Sequence, residues 1–596
     1  MSLDDVELYL VDSFEEASNL WRYMANRTDS IAVDTETTGF KWQRNDYART
    51  VQVGDHQRAW MIELQRWSGL FVDLAKQHRG RFDFMNAKFD VPFLRKNGIT
   101  IDTSRIDDVG VMSHILEPHM SRKLKEQASR HVDPRAGGAQ RELEEALSRR
   151  SEWTWETIPV DFEPYWTYGA LDAILTRRIR DHHWPLIQEQ APYAYELENA
   201  FQWVALTAET NGVSVDVEYA EKQQKACVDY CHDVEQWCKR EFGITPGSNQ
   251  RVIEKLIEAG YDFDKKTKNG ALSLDKDVLD GIDHPLAKSV LLRRQLQKIA
   301  STYLRFYIAH GAATGLIHPS INTLGARTSR MSMSEPNFQN LPRVSENNRA
   351  GSVVRNCVVA RPGNALIMCD FDQIEMRGLA IMSGDEGLRA AFRSENDFFV
   401  NLARNVFQDS TIIKADPRRQ IVKNVGYAKI YGAGVAKLAL TAGIPYEQAA
   451  FANAAFDAAY PQAKNFLGTL YNQAMRRQAD EGGLAYVICP LTGRRHYADR
   501  GKEYALANYL IQGWAASLFK LKALELANAG LDRYMILFVH DEIILDVPKT
   551  EVRDVVEVLR SIMNDDASFP IPISAGISFG ERWGQKKEWD DDCYRS

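Results

Sequence analysis

No apolar run in this 596-residue chain is long enough to cross a bilayer, and no basic-then-apolar leader pattern opens it. No membrane partner is expected, and the expected compartment is the cytoplasm. Cysteine is scarce, seven residues in all, and none forms a CxxC pair. Cys227, Cys231 and Cys238 fall on one face of a helical pattern with His232 off it, and structural zinc sites normally draw on two facing segments, so reduced thiols are the better reading. Positive charge is not in excess either. The formal net charge is −8, so any nucleic-acid surface has to be a local basic groove. Gly/Ser-rich linkers are also missing, and the change of organisation near Ala191-Pro192 is located only to within about ten residues.

Chemistry-bearing strands are present. Met535 to Val547 reads as two apolar runs, Met535–Val539 and Ile543–Leu545, around the tip His540-Asp541-Glu542. Tight turns usually recruit Gly, Asn or Pro, so an imidazole and two carboxylates there need another reason, unless the tip is merely solvated. A second apolar run, Ala365–Cys369, delivers Asp370 and then turns into a helix through Phe-Asp-Gln-Ile-Glu375. Two strand-borne carboxylates, Asp370 and Asp541, suit a pair of Mg²⁺ ions about 3.5–4 Å apart, the requirement of phosphoryl transfer.

Earlier in the chain, Ile31-Ala-Val-Asp-Thr-Glu-Thr-Thr-Gly39 puts Asp34 and Glu36 on one side of a strand; a plain edge strand is the alternative. Asn86-Ala-Lys-Phe-Asp90, Asp107-Asp108 and Tyr168-Gly-Ala-Leu-Asp172 follow, with Tyr168 and Asp172 one helical turn apart. The ordered set resembles the three motifs of the DEDD-type 3′–5′ exonucleases, tyrosine subclass. That resemblance implies metal ligation by Asp34, Glu36, Asp90 and Asp172, with Tyr168 orienting the attacking water. Residues 117–159 read as helices and a surface loop without chemistry.

Helical patterns over Glu218–Phe242 and Leu286–His310 suggest an antiparallel pair. Arg294 and Lys298, one turn apart on the second, repel unless an anion such as DNA phosphate lies across them; a solvated face is the alternative. Arg327 to Pro342 is rich in hydroxyls and amides able to donate to phosphates and groove edges. The helix opening at Asp416-Pro417 runs to about Tyr431 and stops at Gly432-Ala-Gly434. Arg419, Lys423 and Tyr427 form a stripe on it along which a triphosphate and its nucleoside could lie, and no acidic residue between Arg418 and Tyr431 offers them a local partner. Asn508 and Gln512 share a face of a later helix.

Residues from about 195 onward resemble the polymerase region of family A DNA polymerases. Asp370 to Glu375 looks like motif A, Arg419 to Gly432 like motif B, Val539 to Glu542 like motif C, and Gln295 to Tyr303 like the thumb helix of bacterial DNA polymerase I. The resemblance implies that Asp370 and Asp541 hold two Mg²⁺, with Mn²⁺ as a substitute, while Arg419 and Lys423 grip the incoming dNTP. It further implies that Tyr427 packs against the nucleotide near Tyr431, that Glu375 excludes a ribose 2′-hydroxyl, and that Arg330 and Gln512 read the minor groove, with Asn508 beside them. His540 would support the primer terminus. Asp372 and Ser329 depart from the family pattern, which often has a small residue and a glycine there.

The expected fold is an α/β, ribonuclease H-like exonuclease domain over residues 1–190, followed by an α+β polymerase over 191–596. Its thumb is expected at about 200–315, its palm at 316–380 and 484–596, and its fingers at 381–483. The expected partners are primer-template DNA, dNTPs and a single-stranded 3′ end in the exonuclease site, acting on a monomer. The compact arrangement, with Asp34 near the N-terminus, looks like phage-encoded members without a 5′-nuclease domain, which would place the protein in a bacterial host's cytoplasm. A single-subunit RNA polymerase is the alternative that Glu375 and the exonuclease motifs oppose. A DNA-binding module serving the exonuclease alone is opposed by Asp370, Asp541 and Lys423.

Overall fold

The first 108 residues alternate short apolar strands with helices, and the strands form a six-stranded sheet. They are β1 (Glu7–Leu10), β2 (Ile31–Thr37), β3 (Ala48–Gly54), β4 (Arg58–Glu63), β5 (Phe82–Phe84) and β6 (Ile106–Asp108), in the order β1-β4-β3-β2-β5-β6. Strand β3 runs antiparallel to its neighbours and the other pairings are parallel. Strand β2 is thus interior, not an edge, and Ile31, Ala32 and Val33 are fully buried. Helix α1 (Ala87–Lys96) lies between β5 and β6, α2 (Leu124–His131) and α3 (Glu163–Gln190) come after β6, and α3 packs on β2, β3 and β4. The computed structural model describes residues 3–590 except 268, 343–348, 395 and 396.

Helix α4 (Pro192–Asn211) ties this unit to the rest of the chain. At one end the Tyr195 hydroxyl donates to Asp107 at 2.8 Å, and at the other Asn211 Nδ2 donates to the Met535 carbonyl at 2.8 Å. Helix α5 (Val217–Phe242) packs along α6 (Pro285–Lys298) in opposite sense, since Val234 and Cys238 meet Leu286 and Val290 while Ala220 and Cys227 share a core with Leu304. The helix expected over Leu286–His310 is not uniform: a π-helical turn at Ile299–Leu304 interrupts it before Arg305–Gly311.

The second sheet is antiparallel and has five strands. They are β7 (Asn364–Phe371), β8 (Met535–Val539), β9 (Glu542–Pro548), β10 (Ala575–Gly580) and β11 (Lys587–Glu588), in the order β8-β9-β7-β10-β11. Central β7 is covered on both faces, which is why Ala365 to Cys369 reads as a continuous apolar run. Between β7 and β8 the described chain is mainly helical. It includes α7 (Ile374–Ser383), α8 (Phe398–Phe407), α9 (Pro417–Ile430) and the mostly buried α10 (Leu506–Asn528). Asp416 caps α9 by accepting from the Arg418 amide, Pro417 takes its first position, and Gly432 follows at φ +63°. A side chain at Gly432 would meet the Tyr504 carbonyl at 2.7 Å. Among the described residues no helix is long and apolar enough to cross a membrane.

Candidate active sites

In the first unit, the strand period puts Asp34 and Glu36 on one side of β2, α1 brings Asp90, and α3 brings Asp172 and Tyr168. Ligand oxygens of Asp34, Glu36 and Asp172 lie within 4.8 Å of one another, and Asp90 is fixed beside β2 by Thr35, whose hydroxyl donates to it at 2.6 Å. Burial, then the Lys125 charge acting the other way, leaves the Asp34 acid pushed up to about 7. Burial, then the Asp34 charge, holds Glu36 and Asp90 well above the usual carboxylate range. Oxygen donors crowded with too little positive charge fit a hard divalent cation. The neighbouring Asp107 and Asp108 do other work. Asp107 binds Arg81 and Tyr195, and Asp108 accepts from the Ala87 and Val111 amides at 2.8 and 3.0 Å, anchoring α1.

The cation inside this cluster is Lys125 on α2, ion-paired to Asp172 and 4.5 Å from the Tyr168 ring centre. The reading of 117–159 as free of chemistry therefore fails at Lys125, a lone lysine in a polar helix with no local signal. A cleft of about 1000 Å³ opens here between the two units, lined by Phe40, Trp42 and Phe89 on one side and by His318, Ser320 and Asn322 on the other. Phe40 is 81% exposed, an apolar side chain held at the mouth.

In the second unit, Asp370 is the penultimate residue of β7 and Asp541 lies in the turn joining β8 to β9. The tip is shorter than the sequence suggested. Only His540 and Asp541 lie between the strands, and Glu542 is the first residue of β9, directly opposite Asp370. His540 takes the first turn position at φ +59°, the left-handed region a two-residue hairpin requires. Desolvation by the surrounding chain, then the carboxylates of Glu542 and Asp541, push the Asp370 acid up to about 7 although the residue is exposed. Asp372 is drawn aside: the Ser574 hydroxyl donates to its carboxylate at 2.9 Å. Ser329 sits at φ +63°, where glycine would rest without strain.

Glu375, buried on the first turn of α7, is bound by Arg330 and by the Tyr431 hydroxyl, which donates at 3.1 Å; Gln512 in turn bonds Tyr431. Arg330, Glu375, Tyr431 and Gln512 are thus one cluster, bordered by Asn508, whose amide oxygen is buried without a hydrogen-bond partner. On α9, Arg419, Lys423 and Tyr427 share a face. No acidic residue lies between Arg418 and Tyr431, but one comes from outside the helix: Asp397, at the cap of α8, takes Arg419 through two bonds of 2.8 and 2.7 Å. Phe399 of the same helix lies against Lys423 and Tyr427. Arg294 is also engaged inside its own unit, donating to the Leu274 carbonyl at 2.5 Å and to Asn249 at 2.9 Å, so its spacing from Lys298 needs no anion. Lys298 lies over the Tyr303 ring.

A network that sequence reading missed lies between the units. Glu198 on α4, Lys520 on α10 and Arg494 are each at most 2% exposed, with Lys520 donating to Glu198 at 2.6 Å and Arg494 bound to His114.

The sequence matches two family models, 3′–5′ exonuclease over residues 10–188 and DNA polymerase family A over residues 217–585. The DNA polymerase of Mycobacterium phage D29 is 27% identical over 606 aligned residues, covering 98% of this chain and 97% of the relative. That of Mycobacterium phage L5 is 26% identical over 608, with the same coverage. The fold is like that of the POL domain of Pol1 from M. smegmatis in complex with DNA primer-template and dNTP: the TM-score is 0.78 over 97% of this chain and 99% of that one, at 22% identity. The chain belongs to DNA polymerase family A and carries a 3′–5′ exonuclease domain ahead of its polymerase region.

Proposed function

We propose that the chain copies primer-template DNA from dNTPs at the Asp370/Asp541 site and trims single-stranded 3′ ends at the Asp34/Glu36/Asp90/Asp172 site, with Mg²⁺ as the working cation at both. In this reading residues 1–190 are the exonuclease, about 200–315 the thumb, 316–380 and 484–596 the palm, and 381–483 the fingers. The observation that carries it is the meeting of Asp370 and Asp541 at one end of the five-stranded sheet, with the helix that bears Arg419, Lys423 and Tyr427 packed on α7, the helix into which the Asp370 strand leads.

Mg²⁺, when bound by Asp370 and Asp541, would supply Lewis-acid stabilisation of the reacting phosphate. The chain's own residues do the rest. Arg419 and Lys423 bind the triphosphate oxygens, so Arg419 must exchange Asp397 for phosphate as the nucleotide enters. Tyr427 packs on the nucleoside. Glu375, clamped by Arg330 and Tyr431, closes the space a 2′-hydroxyl needs. Arg330, Gln512 and Asn508 face the minor groove at the primer end and His540 supports the terminus, while Lys298, one turn from the engaged Arg294, meets backbone phosphate. In the exonuclease site Tyr168 orients the attacking water, and Phe40 and Phe89 receive the unpaired terminal bases.

A labelled primer on a template tests this. With Mg²⁺ and dNTPs the primer lengthens, without dNTPs it shortens, and EDTA stops both. Lengthening that persists in EDTA would contradict the metal assignment.

A further inference from the structure

Glu542 stands in an odd position. Residues directly opposite in an antiparallel pair project to the same face, so the register Asp370 to Glu542 makes Glu542, not Asp541, the cross-strand neighbour of the Asp370 carboxylate. Two like charges so placed repel, and a cation bridging them would sit away from Asp541. Both Glu542 oxygens are instead occupied. Lys586 Nζ donates to Oε1 at 2.7 Å and the Trp583 indole donates to Oε2 at 3.3 Å.

These two donors come from the far side of the sheet. After β10 the chain turns through Trp583–Gln585 and returns as β11, pairing Lys587 with Phe579 and Glu588 with Ser578. Trp583 is 1% exposed and stacked under Arg355, with its ring 4.2 Å from the guanidinium, so the indole is rigidly aimed. The Lys586 side chain is 42% exposed and is the one basic side chain that an ion pair brings to Glu542 among the described residues.

We propose that Lys586, backed by Trp583, is a positioning residue for the polymerase site: with Trp583 it holds both oxygens of Glu542 and offsets its charge so that Asp541 is the carboxylate the hairpin offers to the metals. This rests on the assignment of Asp370 and Asp541 as metal ligands. Without Lys586, Glu542 joins Asp370 in a tighter but misplaced cation site.

The test uses the full chain carrying Asp34→Ala to silence the exonuclease site. Mn²⁺ binding is followed by electron paramagnetic resonance without DNA or dNTP, and steady-state extension is measured in parallel. Lys586→Met should bind Mn²⁺ about tenfold more tightly and lose about tenfold in kcat, with KM for dNTP little changed, the size expected for one charged hydrogen bond. Adding Glu542→Gln to Lys586→Met should return both values, and Lys586→Arg should match the parent. Glu542→Gln alone, which leaves Lys586 in place, should bind Mn²⁺ like the parent. Unchanged Mn²⁺ binding in Lys586→Met, a kcat loss that Glu542→Gln does not repair, or weakened Mn²⁺ binding in Glu542→Gln alone would overturn the proposal. Extension surviving Asp541→Ala would instead overturn the metal-ligand reading beneath it.

Discussion

Tyr427 and Glu375 carry the sharpest consequences at the scale of single residues. A 3′-hydroxyl on an incoming nucleotide can hydrogen-bond to its own phosphates, and a dideoxynucleotide loses that bond. In the proposed reading the phenol of Tyr427, one turn beyond Lys423 on α9, supplies a replacement. Tyr427→Phe should therefore discriminate against dideoxynucleotides by about 10- to 150-fold more than the parent, with dNTP use little changed. Competition of ddNTP against dNTP on one template measures this, and equal ratios would refute it. Glu375→Ala opens the volume closed beneath Tyr431 and Arg330, and should raise ribonucleotide incorporation by about 10- to 200-fold relative to deoxynucleotide. Unaltered discrimination in single-nucleotide insertion would remove Glu375 from that role.

Elements divide into those legible in the sequence and those that long-range contacts decide. The apolar strand ending in Asp370 and the capped helix from Asp416 were legible because burial on both faces and an Asp-Pro start leave local signatures. So were the strand period joining Asp34 to Glu36 and the helical turn joining Tyr168 to Asp172. Charge pairing was not legible. Asp397 meets Arg419 across a loop, Lys125 reaches Asp172 from another helix, and Lys586 reaches Glu542 from the segment that joins β10 to β11. The length of the hairpin tip was misread for a related reason, since His540 accepts a positive φ that composition alone assigns to Gly or Asn. Helices α4 and α10 are joined by the buried Glu198–Lys520 pair, with Lys520 pulled down to about 8 by burial against the opposing Glu198 charge. Glu198→Ala strands two buried cations and should cost about 3–5 kcal/mol, seen as a lowered unfolding midpoint. A change within about 0.5 kcal/mol, the range of surface substitutions, would show the network to be dispensable.

For the whole molecule, the two acidic clusters make stability depend on metal and pH together. Asp34 and Asp370 have folded values of about 7 against 3.8 for the free side chain. Between those limits the folded chain holds more protons than the unfolded one, so the metal-free protein loses stability as pH rises from about 4 through 7. In the proposed reading Mg²⁺ binds the ionised form, so its stabilisation, about 2.7 kcal/mol per site at a hundredfold excess over Kd, should be present at pH 8 and largely absent at pH 5. Thermal unfolding in Mg²⁺ and in EDTA at the two pH values reads this, and equal increments would contradict it. The central claim is that synthesis and degradation use separate carboxylate sets on separate sheets. The most direct measurement is a reciprocal pair of variants assayed for both activities. Asp541→Ala should abolish primer extension and keep single-strand degradation, and Asp34→Ala should do the reverse; loss of both activities from either change, with the fold intact, would contradict the account.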